Sequence, residues 1–383
     1  MMCCLSRKGP LMSAPLEGIT VLDLTWNLPG PYASFLLASL GATVTKIEPP
    51  GGEPARHMPT LFEAINRGKD SVVLDLKQPG DRERLLQQVG HADVFIEGFR
   101  PGVADRLGCG APIVQAHNPR IVYCSISAFG QRGPRRDQPG HDLNAQALAG
   151  LCHLARDPSG RPHGLPIPVA DLSASMSAVA SICAALYARD RGESDRPGAL
   201  LDVAMVDTAL SWASIWSDGV DLAASARRAI PPGMDPLARR LLLERLDRQR
   251  LHALPHYEVF RCRDGAWLAI GVVDERHFWT SLCEALGLRR LSGLSMSART
   301  VLSPVIKRLF ALSLRRRPRD TWLERFEAEG LPVCAVLTPA EARADPHLRG
   351  RLVDPRGRLR APVAGGIGLS HDAPPLSGDG GVS

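Results

Sequence analysis

The chain has 383 residues, enough for two domains of ordinary size, and 44% of them are hydrophobic and 22% charged. This composition excludes an intrinsically disordered protein. No apolar run reaches the roughly 18 residues that cross a bilayer, and the first 15 residues lack the pattern of a secretory signal. The sequence therefore predicts a soluble protein with no membrane partner.

The net charge of +6 and the nine cysteines restrict the compartment and the ligand. The cysteines are scattered without a Cys-x-x-Cys pair, which argues against a disulfide framework or a metal site and predicts a cytoplasmic protein. The positive charge leaves a basic nucleic-acid-binding protein open as a remote alternative. Because the arginines are spread along the chain, we expect no nucleic-acid partner. Such a charge also suits a ligand that carries several phosphates.

The first half of the chain alternates short apolar runs with segments of helical spacing. The predicted strands cover residues 19–24, 43–47, 71–76, 94–96 and 121–127. The predicted helices cover residues 32–40, 81–89, 140–154 and 172–189. This order predicts an α/β fold with a Rossmann-like large domain built on a parallel sheet.

Beyond residue 222 the alternation stops. Residues 230–233 (IPPG) interrupt the chain, residues 237–251 have helical spacing, and residues 257–271 read as a hairpin that turns at Asp264-Gly265. A short strand is predicted at 333–337, before a tail rich in Pro and Gly. We therefore predict three segments. They are a large domain over residues 14–215, a smaller α+β domain over 225–328, and a C-terminal part over 333–383 that returns to the large domain.

The common nucleotide-binding, metalloprotease and esterase motifs are absent, so candidate site residues come from strand ends and helix starts. Gly30 lies in the turn after the first strand and has no Cβ to keep a ligand away. Lys77 and Arg100 each follow a predicted strand. A cation in that position either faces solvent or meets a phosphate.

Asp171 lies at the start of an apolar helix and allows two interpretations. In the first, its carboxylate caps the helix by accepting an N–H group. In the second, the helix dipole keeps the carboxylate ionised, and it serves as a nucleophile or proton acceptor. At the start of the preceding helix, His141 fits a loop and Asp142 a cap. Asp274 and Glu275 follow an apolar segment and fit an exposed turn.

Taken in chain order, several segments resemble the family III coenzyme A (CoA) transferases. That family includes formyl-CoA transferases, carnitine CoA-transferases and 2-methylacyl-CoA racemases. The matching segments are 15–24 (PLEGITVLDL), 29–32 (PGPY), 40–48 (LGATVTKIE), 66–69 (NRGK), 74–77 (LDLK), 97–102 (EGFRPG), 130–134 (GQRGP) and 202–207 (DVAMVD). So many matches in one order, from residue 15 to about residue 337, are more specific than any single motif.

The resemblance implies an interlocked homodimer that acts on an acyl-CoA and a carboxylic acid without a cofactor. The transferase nucleophile of the family falls on Asp171. By the same comparison, Lys77 and Arg100 resemble contacts to the adenine and phosphate portion of CoA, and Gly30 is grouped with them. Pro49 stands where the family often has an arginine.

The family includes both transferases and racemases, which differ in the catalytic groups they need. A transferase needs one carboxylate that attacks a thioester, and Asp171 suffices for that. A racemase needs two acid/base groups on opposite faces of an α-carbon. In the family's racemases these groups resemble His141 and Asp171, with Asp274 or Glu275 as an accessory acid. The segment after Asp171 lacks the glycines of the racemases, and the glycine quartet of the formyl-CoA transferases is also absent. Because the aspartate is common to both activities and transferases make up more of the family, we predict CoA transfer through an aspartyl-CoA thioester, with 2-methylacyl-CoA racemase as the alternative.

Overall fold

The computed structural model describes residues 14–157, 159–191, 196–219, 233, 235–236 and 254–352. Within these residues the chain forms two compact units. The larger unit takes the described parts of residues 14–155, 162–213 and 350–352, and the smaller takes those of 156–161 and 214–349. The helix predicted at 237–251 and most of the predicted C-terminal return lie outside the described residues.

A six-stranded sheet forms the centre of the larger unit. Its strands are β1 (Thr20–Leu24), β2 (Thr43–Glu48), β3 (Asp70–Val73), β4 (Val94–Glu97), β5 (Val122–Ser127) and β6 (Leu200–Ala204). They lie in the order β3-β2-β1-β4-β5-β6, and every neighbouring pair is parallel. This is the doubly wound order, in which ligands bind at the carboxyl ends of the strands where the strand order reverses, here between β1 and β4. The predicted α/β class is confirmed.

Helices pack on both faces of this sheet. They are α1 (Pro29–Ser39), α2 (Pro59–Asn66), α3 (Pro79–Val89), α4 (Val103–Arg106), α5 (Ala111–His117), α6 (Asp142–Leu148), α7 (Leu151–Leu154), α8 (Val169–Asp190) and α9 (Met205–Gly219). Successive strand residues point to opposite faces. In β4, Val94 and Ile96 join the core that includes α1 and α8, whereas Phe95 joins the core that includes α3 and α5.

The helix α8 is the longest of these helices and is lined with small residues. Ala170, Ala174 and Ala178 are fully buried, which brings the backbone of α8 close to the sheet. By length and composition α8 could cross a membrane, contrary to the sequence expectation, and 44% of its most apolar stretch is buried within the protein. One such helix is weak evidence for a membrane span, because a core helix passes the same test.

The smaller unit combines an antiparallel sheet with helices. Its strands are β7 (Tyr257–Arg261), β8 (Trp267–Gly271) and β9 (Val333–Ala335), in the order β7-β8-β9. Its helices are α10 (Arg276–Ala285), α11 (Met296–Val301), α12 (Ser303–Leu314), α13 (Arg319–Ala328) and α14 (Pro339–Ala344), and α15 (Pro346–Leu352) follows. The hairpin turn has Gly265 at φ 85°, as its sequence predicts. Val333–Ala335 pairs with β8, so the chain has not left the smaller unit at residue 333, where the return to the large domain was predicted.

Candidate active site

A cavity of about 910 Å³ lies along the carboxyl edge of the parallel sheet, at the upper end of the range for small-molecule pockets. Each of the six strands contributes to its wall, through its last residue or the residue that follows it. These residues are Leu24, Glu48, Leu74, Gly98, Ser127 and Met205. The cavity therefore includes the reversal point between β1 and β4, where a doubly wound sheet binds its ligand.

Buried charges support the turn after β1, which forms one part of this wall. Asp23 is fully buried at the end of β1 and accepts hydrogen bonds from the Thr25 N–H (2.9 Å) and from Lys69 Nζ (3.1 Å). Lys46 Nζ donates to the Thr25 carbonyl at 2.8 Å. Burial alone would raise the pKa of Asp23, but Lys69 and Lys46 together hold it below its ordinary value. Buried ionised groups therefore hold the turn in place through hydrogen bonds to the backbone of Thr25.

Gly30 lines the cavity, but the reason for a glycine there differs from the predicted one. A Cβ on Gly30 would lie 2.2 Å from the Cβ of Thr25, far inside contact distance. The glycine is therefore required by the packing of α1 against the β1 turn. Asn27, in the same turn, has φ 64°, and its N–H donates to Glu53 Oε2 at 2.8 Å.

Among the residues that the structure describes, four lysine and arginine side chains line the cavity. Lys77 follows β3 and Arg100 follows β4, as the sequence predicts, and the side chains of both are exposed to solvent within the wall. Arg106 and Arg136 also contribute to the wall, although the sequence reasoning did not single them out. Nothing in the local sequence distinguishes them from other surface arginines. The positive charge suits an anionic ligand.

Asp171 also lines the cavity, and it does not cap its helix. It is the third residue of α8, and no hydrogen bond or ion pair from any described residue reaches its carboxylate. The cap comes from Asp142, the first residue of α6. Asp142 Oδ1 accepts the N–H groups of Ala170 and Asp171 at 2.8 and 3.2 Å. The capping interpretation of Asp171 is therefore wrong, and Asp142 caps α8 in addition to starting α6.

The ionisation of Asp171 also differs from the expectation that the helix dipole keeps it charged. Burial, and then the negative charge of Asp142, raise the pKa of the Asp171 carboxyl from its ordinary 3.8 to about 7. A carboxyl group of this kind is more basic than an ordinary aspartate. It is half ionised near neutral pH, the condition that favours a nucleophile or a general base.

His141 lines the same cavity as Asp171. It occupies the N-cap position of α6, and its backbone N–H donates to Asn144 Oδ1 at 3.1 Å. Its side chain is exposed at the cavity wall. The structure thus brings together both members of the predicted acid/base pair.

Glu97, the last residue of β4, is a titratable group that the sequence reasoning missed. It is 3% exposed, and its Oε2 accepts the Phe99 N–H at 2.7 Å. Burial raises the pKa of Glu97 to about 7, although hydrogen bonds from Ser125 and Phe99 oppose the rise. Its contact with Phe99 holds the loop that carries Arg100. The segment EGFRPG matches the family, but its sequence does not show that Glu97 is buried. That burial depends on the neighbouring strand β5.

Asp274 and Glu275 lie in the smaller unit, just before α10, and neither belongs to the cavity wall described here. Both side chains are exposed. Glu275 Oε2 accepts the Val273 N–H at 3.0 Å, and hydrogen bonds from backbone N–H groups lower the pKa of Glu275. Their geometry is that of the exposed turn, one of the two predicted roles.

The fold and the cavity together define a doubly wound α/β protein with a large, cation-lined ligand site on the carboxyl edge of its sheet. A carboxyl group that titrates near neutrality lies in the wall of that site. This combination belongs to proteins that bind and process a large anionic ligand.

Comparison with known proteins identifies the family. Residues 16–354 match the model of CoA-transferase family III, so the chain belongs to that family. It is 32% identical to the acetyl-CoA:oxalate CoA-transferase of Acetobacter aceti, over 88% of this chain and 84% of that one. It is also 32% identical to the succinyl-CoA:mesaconate CoA-transferase of Haloarcula hispanica, with the same coverage of both chains. The crystal structure of a CAIB/BAIF family protein from Brucella suis superposes with a TM-score of 0.73 at 28% identity, covering 92% of each chain.

Proposed function

We propose that the protein transfers CoA from an acyl-CoA to a carboxylic acid and that Asp171 is the nucleophile. The observation that carries this proposal is the carboxylate of Asp171, which lines the cavity and has no partner among the described residues. Family membership supplies the reaction class. A free carboxylate with a raised pKa can attack a carbonyl carbon, whereas one held by hydrogen bonds is a poorer nucleophile.

The reaction divides into steps in which only the carboxylates and the thiol change partners. An Asp171 oxygen attacks the thioester carbon, the C–S bond breaks, and the CoA thiolate leaves a mixed anhydride on the enzyme. The thiolate then attacks the Asp171 carbonyl carbon, which releases the first carboxylate and forms an aspartyl-CoA thioester. The acceptor carboxylate then attacks the aspartyl-CoA thioester, which releases the CoA thiolate and forms a second mixed anhydride. The thiolate attacks the acceptor carbonyl carbon of this anhydride. The CoA thioester of the acceptor is released, and the Asp171 carboxylate is restored.

We assign the CoA portion of the substrate to the part of the cavity wall that carries Lys77 and Arg100. Lys77 and Arg100 lie in the loops that follow β3 and β4 and are exposed within the wall, where their charges can meet the phosphates. The Glu97 contact to the Phe99 N–H steadies the second of these loops. Gly30 contributes by allowing α1 to pack closely against the β1 turn in the cavity wall.

A 2-methylacyl-CoA racemase is the second candidate, and one observation favours it. His141 and Asp171 line the same cavity, as two groups that exchange a proton with one α-carbon must do. Asp274 and Glu275 give this candidate no further support, since their side chains are described only within the smaller unit.

One experiment separates the two candidates. Purified protein is incubated with an acyl-CoA in deuterated water, with and without a free carboxylic acid, and the thioesters are analysed by mass spectrometry. Transfer yields a new thioester only when the acid is present and leaves the α-carbon undeuterated. Racemisation introduces deuterium at the α-carbon without an added acid. The absence of both products with a panel of acyl-CoA donors would contradict both candidates.

We also propose that the active form is the interlocked homodimer implied by the resemblance and that it works in the cytoplasm. Large apolar side chains exposed on α8 and α9 support an intersubunit contact. They are Met176, Tyr187, Leu210, Trp212 and Ile215, each more than 40% exposed in the single chain. Exposed apolar surface of this kind is common where subunits meet.

A further inference from the structure

The first turn of α8 directs its free N–H groups toward α6 and not toward its own aspartate. A helix start leaves four N–H groups without partners inside the helix. In α8 the Val169 N–H bonds the Ile167 carbonyl, and the next two N–H groups are both taken by Asp142 Oδ1. An N-cap at Asp171, as the sequence predicted, would instead accept the N–H groups two and three residues later, which lie inside α8 because the helix begins at Val169.

Asp142 is itself held in place by a buried amide. Gln146, one turn further along α6 and 1% exposed, donates from Nε2 to Asp142 Oδ2 at 2.5 Å. Gln146 Oε1 accepts the Leu165 N–H at 2.9 Å, in the segment that leads into α8. The Asp142 carboxylate is thereby bonded on one oxygen by α8 and on the other by α6. It cannot turn away from the start of α8 without breaking both sets of bonds.

The charge of Asp142 acts in the same direction as its hydrogen bonds. A negative charge at a helix N-terminus neutralises the positive end of the helix dipole, which would otherwise stabilise an ionised Asp171. The two like charges also repel each other. Occupation of the two N–H groups by Asp142, neutralisation of the dipole and repulsion all leave the Asp171 carboxylate less stabilised and more basic.

Other titratable groups on the elements that pack against α8 contribute less. These elements are α1, α6, β5, β6 and the start of α9. Their titratable residues, with the N-cap of α6, are Tyr32, His141, Asp142, Tyr123, Cys124, Asp202 and Asp207. Among the described residues, Asp142 is the one whose charge moves the pKa of Asp171.

We propose that Asp142 is a positioning residue for Asp171: it fixes the start of α8 and, by taking the N–H groups of Ala170 and Asp171, leaves the Asp171 carboxylate free to react. This inference rests on the proposed role of Asp171 as nucleophile. Asp142 contacts no reacting atom and acts through the backbone and the electric field at Asp171. The sequence predicted a cap for each helix but not that one aspartate would cap the helix of the other.

The test compares neutral substitutions of Asp142 with a control that leaves its charge in place. In Asp142→Asn the amide oxygen can still accept the α8 N–H groups, but the charge is gone. Asp142→Ser supplies a second neutral capping side chain, in case the amide disturbs Gln146. Gln146→Leu breaks the bond to Asp142 without changing any charge. Circular dichroism and thermal unfolding first establish that each variant is folded.

The readout is the pH dependence of kcat/KM, which reports the ionisation of the free enzyme. In the wild type we expect activity to rise with pH to a plateau, with a midpoint near the Asp171 pKa of about 7. In Asp142→Asn and Asp142→Ser the midpoint should fall by about one pH unit, and the plateau should fall about tenfold because the nucleophile is less basic. Gln146→Leu should keep the wild-type midpoint.

Two results would overturn this inference. One is a wild-type midpoint in both neutral variants of Asp142, and the other is an equal shift in Gln146→Leu, which would mean that loosening α6 is sufficient. In either case an inactive Asp171→Asn enzyme leaves the proposed function intact. If Asp171→Asn is fully active, the proposed function itself is wrong, and the two failures are thereby distinguished.

Discussion

At the scale of single residues, Asp171 carries the first prediction. Asp171→Asn keeps the shape of the side chain but removes the nucleophilic oxygen anion, so turnover should fall by about 10³-fold or more while the fold persists. The measurement is steady-state transfer between an acyl-CoA and a carboxylic acid. During turnover of the wild type, hydroxylamine should convert Asp171 to a hydroxamate that peptide mass spectrometry detects. Asp171→Asn should give no such adduct, and its appearance at another carboxylate would reassign the nucleophile.

The stability of the same variant gives a second prediction. The folded pKa of Asp171, about 7, lies above its ordinary 3.8, so the folded state holds a proton that the unfolded chain has already lost between these values. The contribution of Asp171 to the free energy of unfolding therefore falls as pH rises from about 4 to 7. In Asp171→Asn this decrease in the free energy of unfolding is absent, because the amide does not titrate. The variant should be more stable than the wild type at pH 8, on the order of 2 kcal/mol, and nearly equal to it at pH 4. Urea unfolding at both pH values measures the difference, and an equal effect at both would contradict the raised pKa.

Two glycines in matching positions provide a third prediction. Gly30 and Gly80 are each the second residue of a helix that begins with proline. A Cβ on Gly30 would collide with Thr25, whereas a Cβ on Gly80 meets no atom within 4 Å. Gly30→Ala should cost about 2 kcal/mol of stability or more and raise KM for CoA thioesters, because the β1 turn must move. Gly80→Ala should be neutral or slightly stabilising. If Gly30→Ala and Gly80→Ala changed the free energy of unfolding in urea equally, the collision with Thr25 would be relieved without loss of stability, and the prediction would be wrong.

At the scale of elements, the loops after β3 and β4 bring cations to the cavity. If Lys77 and Arg100 bind the CoA portion, Arg100→Ala should raise KM by about tenfold for every acyl-CoA and leave kcat nearly unchanged, since that contact is the same in the bound substrate and in the transition state. Arg84→Ala is the control, because Arg84 is exposed on α3 outside the cavity wall. If the change in KM varied strongly with the acyl group, Arg100 would instead be assigned to a contact with the acyl portion of the substrate.

The periodicity of the sequence predicted most of the larger unit at this scale. The strands β1, β4 and β5 are buried on both faces and are largely apolar, and this is why they were found. The strand β6 was missed because Leu200 and Asp202 are exposed and its apolar run is short. The helix predicted at 140–154 is divided in two by Gly150, with φ 84°, because the left-handed conformation ends α6 and α7 begins at the next residue.

The candidate site was predicted in part, and the reason lies in distance along the chain. Lys77, Arg100, His141 and Asp171 line one cavity, as the family resemblance implied. The partner of Asp171 could not be read from the sequence, because the bond from its N–H to Asp142 spans 29 residues. Local rules assign a cap to the nearest acidic side chain, whereas packing of α6 against α8 decides which one is used.

At the scale of the whole molecule, the proposed interlocked homodimer gives the last prediction. Two threaded chains cannot separate unless one of them partly unfolds, so the dimer should persist on dilution from micromolar to nanomolar concentration. Sedimentation with a fluorescent label measures this. Trp212, 47% exposed on α9 in the single chain, is one of six tryptophans, so its fluorescence is taken as the difference between the wild type and Trp212→Phe. This difference signal should shift to the red only when the dimer unfolds. A monomer that appears in native buffer as the concentration falls would contradict the threaded arrangement.

The buried charges beneath the β1 turn also restrict how this sequence can diverge. Asp23, Lys46, Lys69 and Glu53 are joined by ion pairs with almost no exposure. Loss of any one leaves the others uncompensated, at a cost of about 3–5 kcal/mol, although an all-apolar set of the same volume can be as stable. If these four charges are replaced one at a time, the intermediate chains therefore fold poorly. Descendants of this protein can vary the exposed wall of the cavity one residue at a time, whereas the four charges beneath it are inherited together.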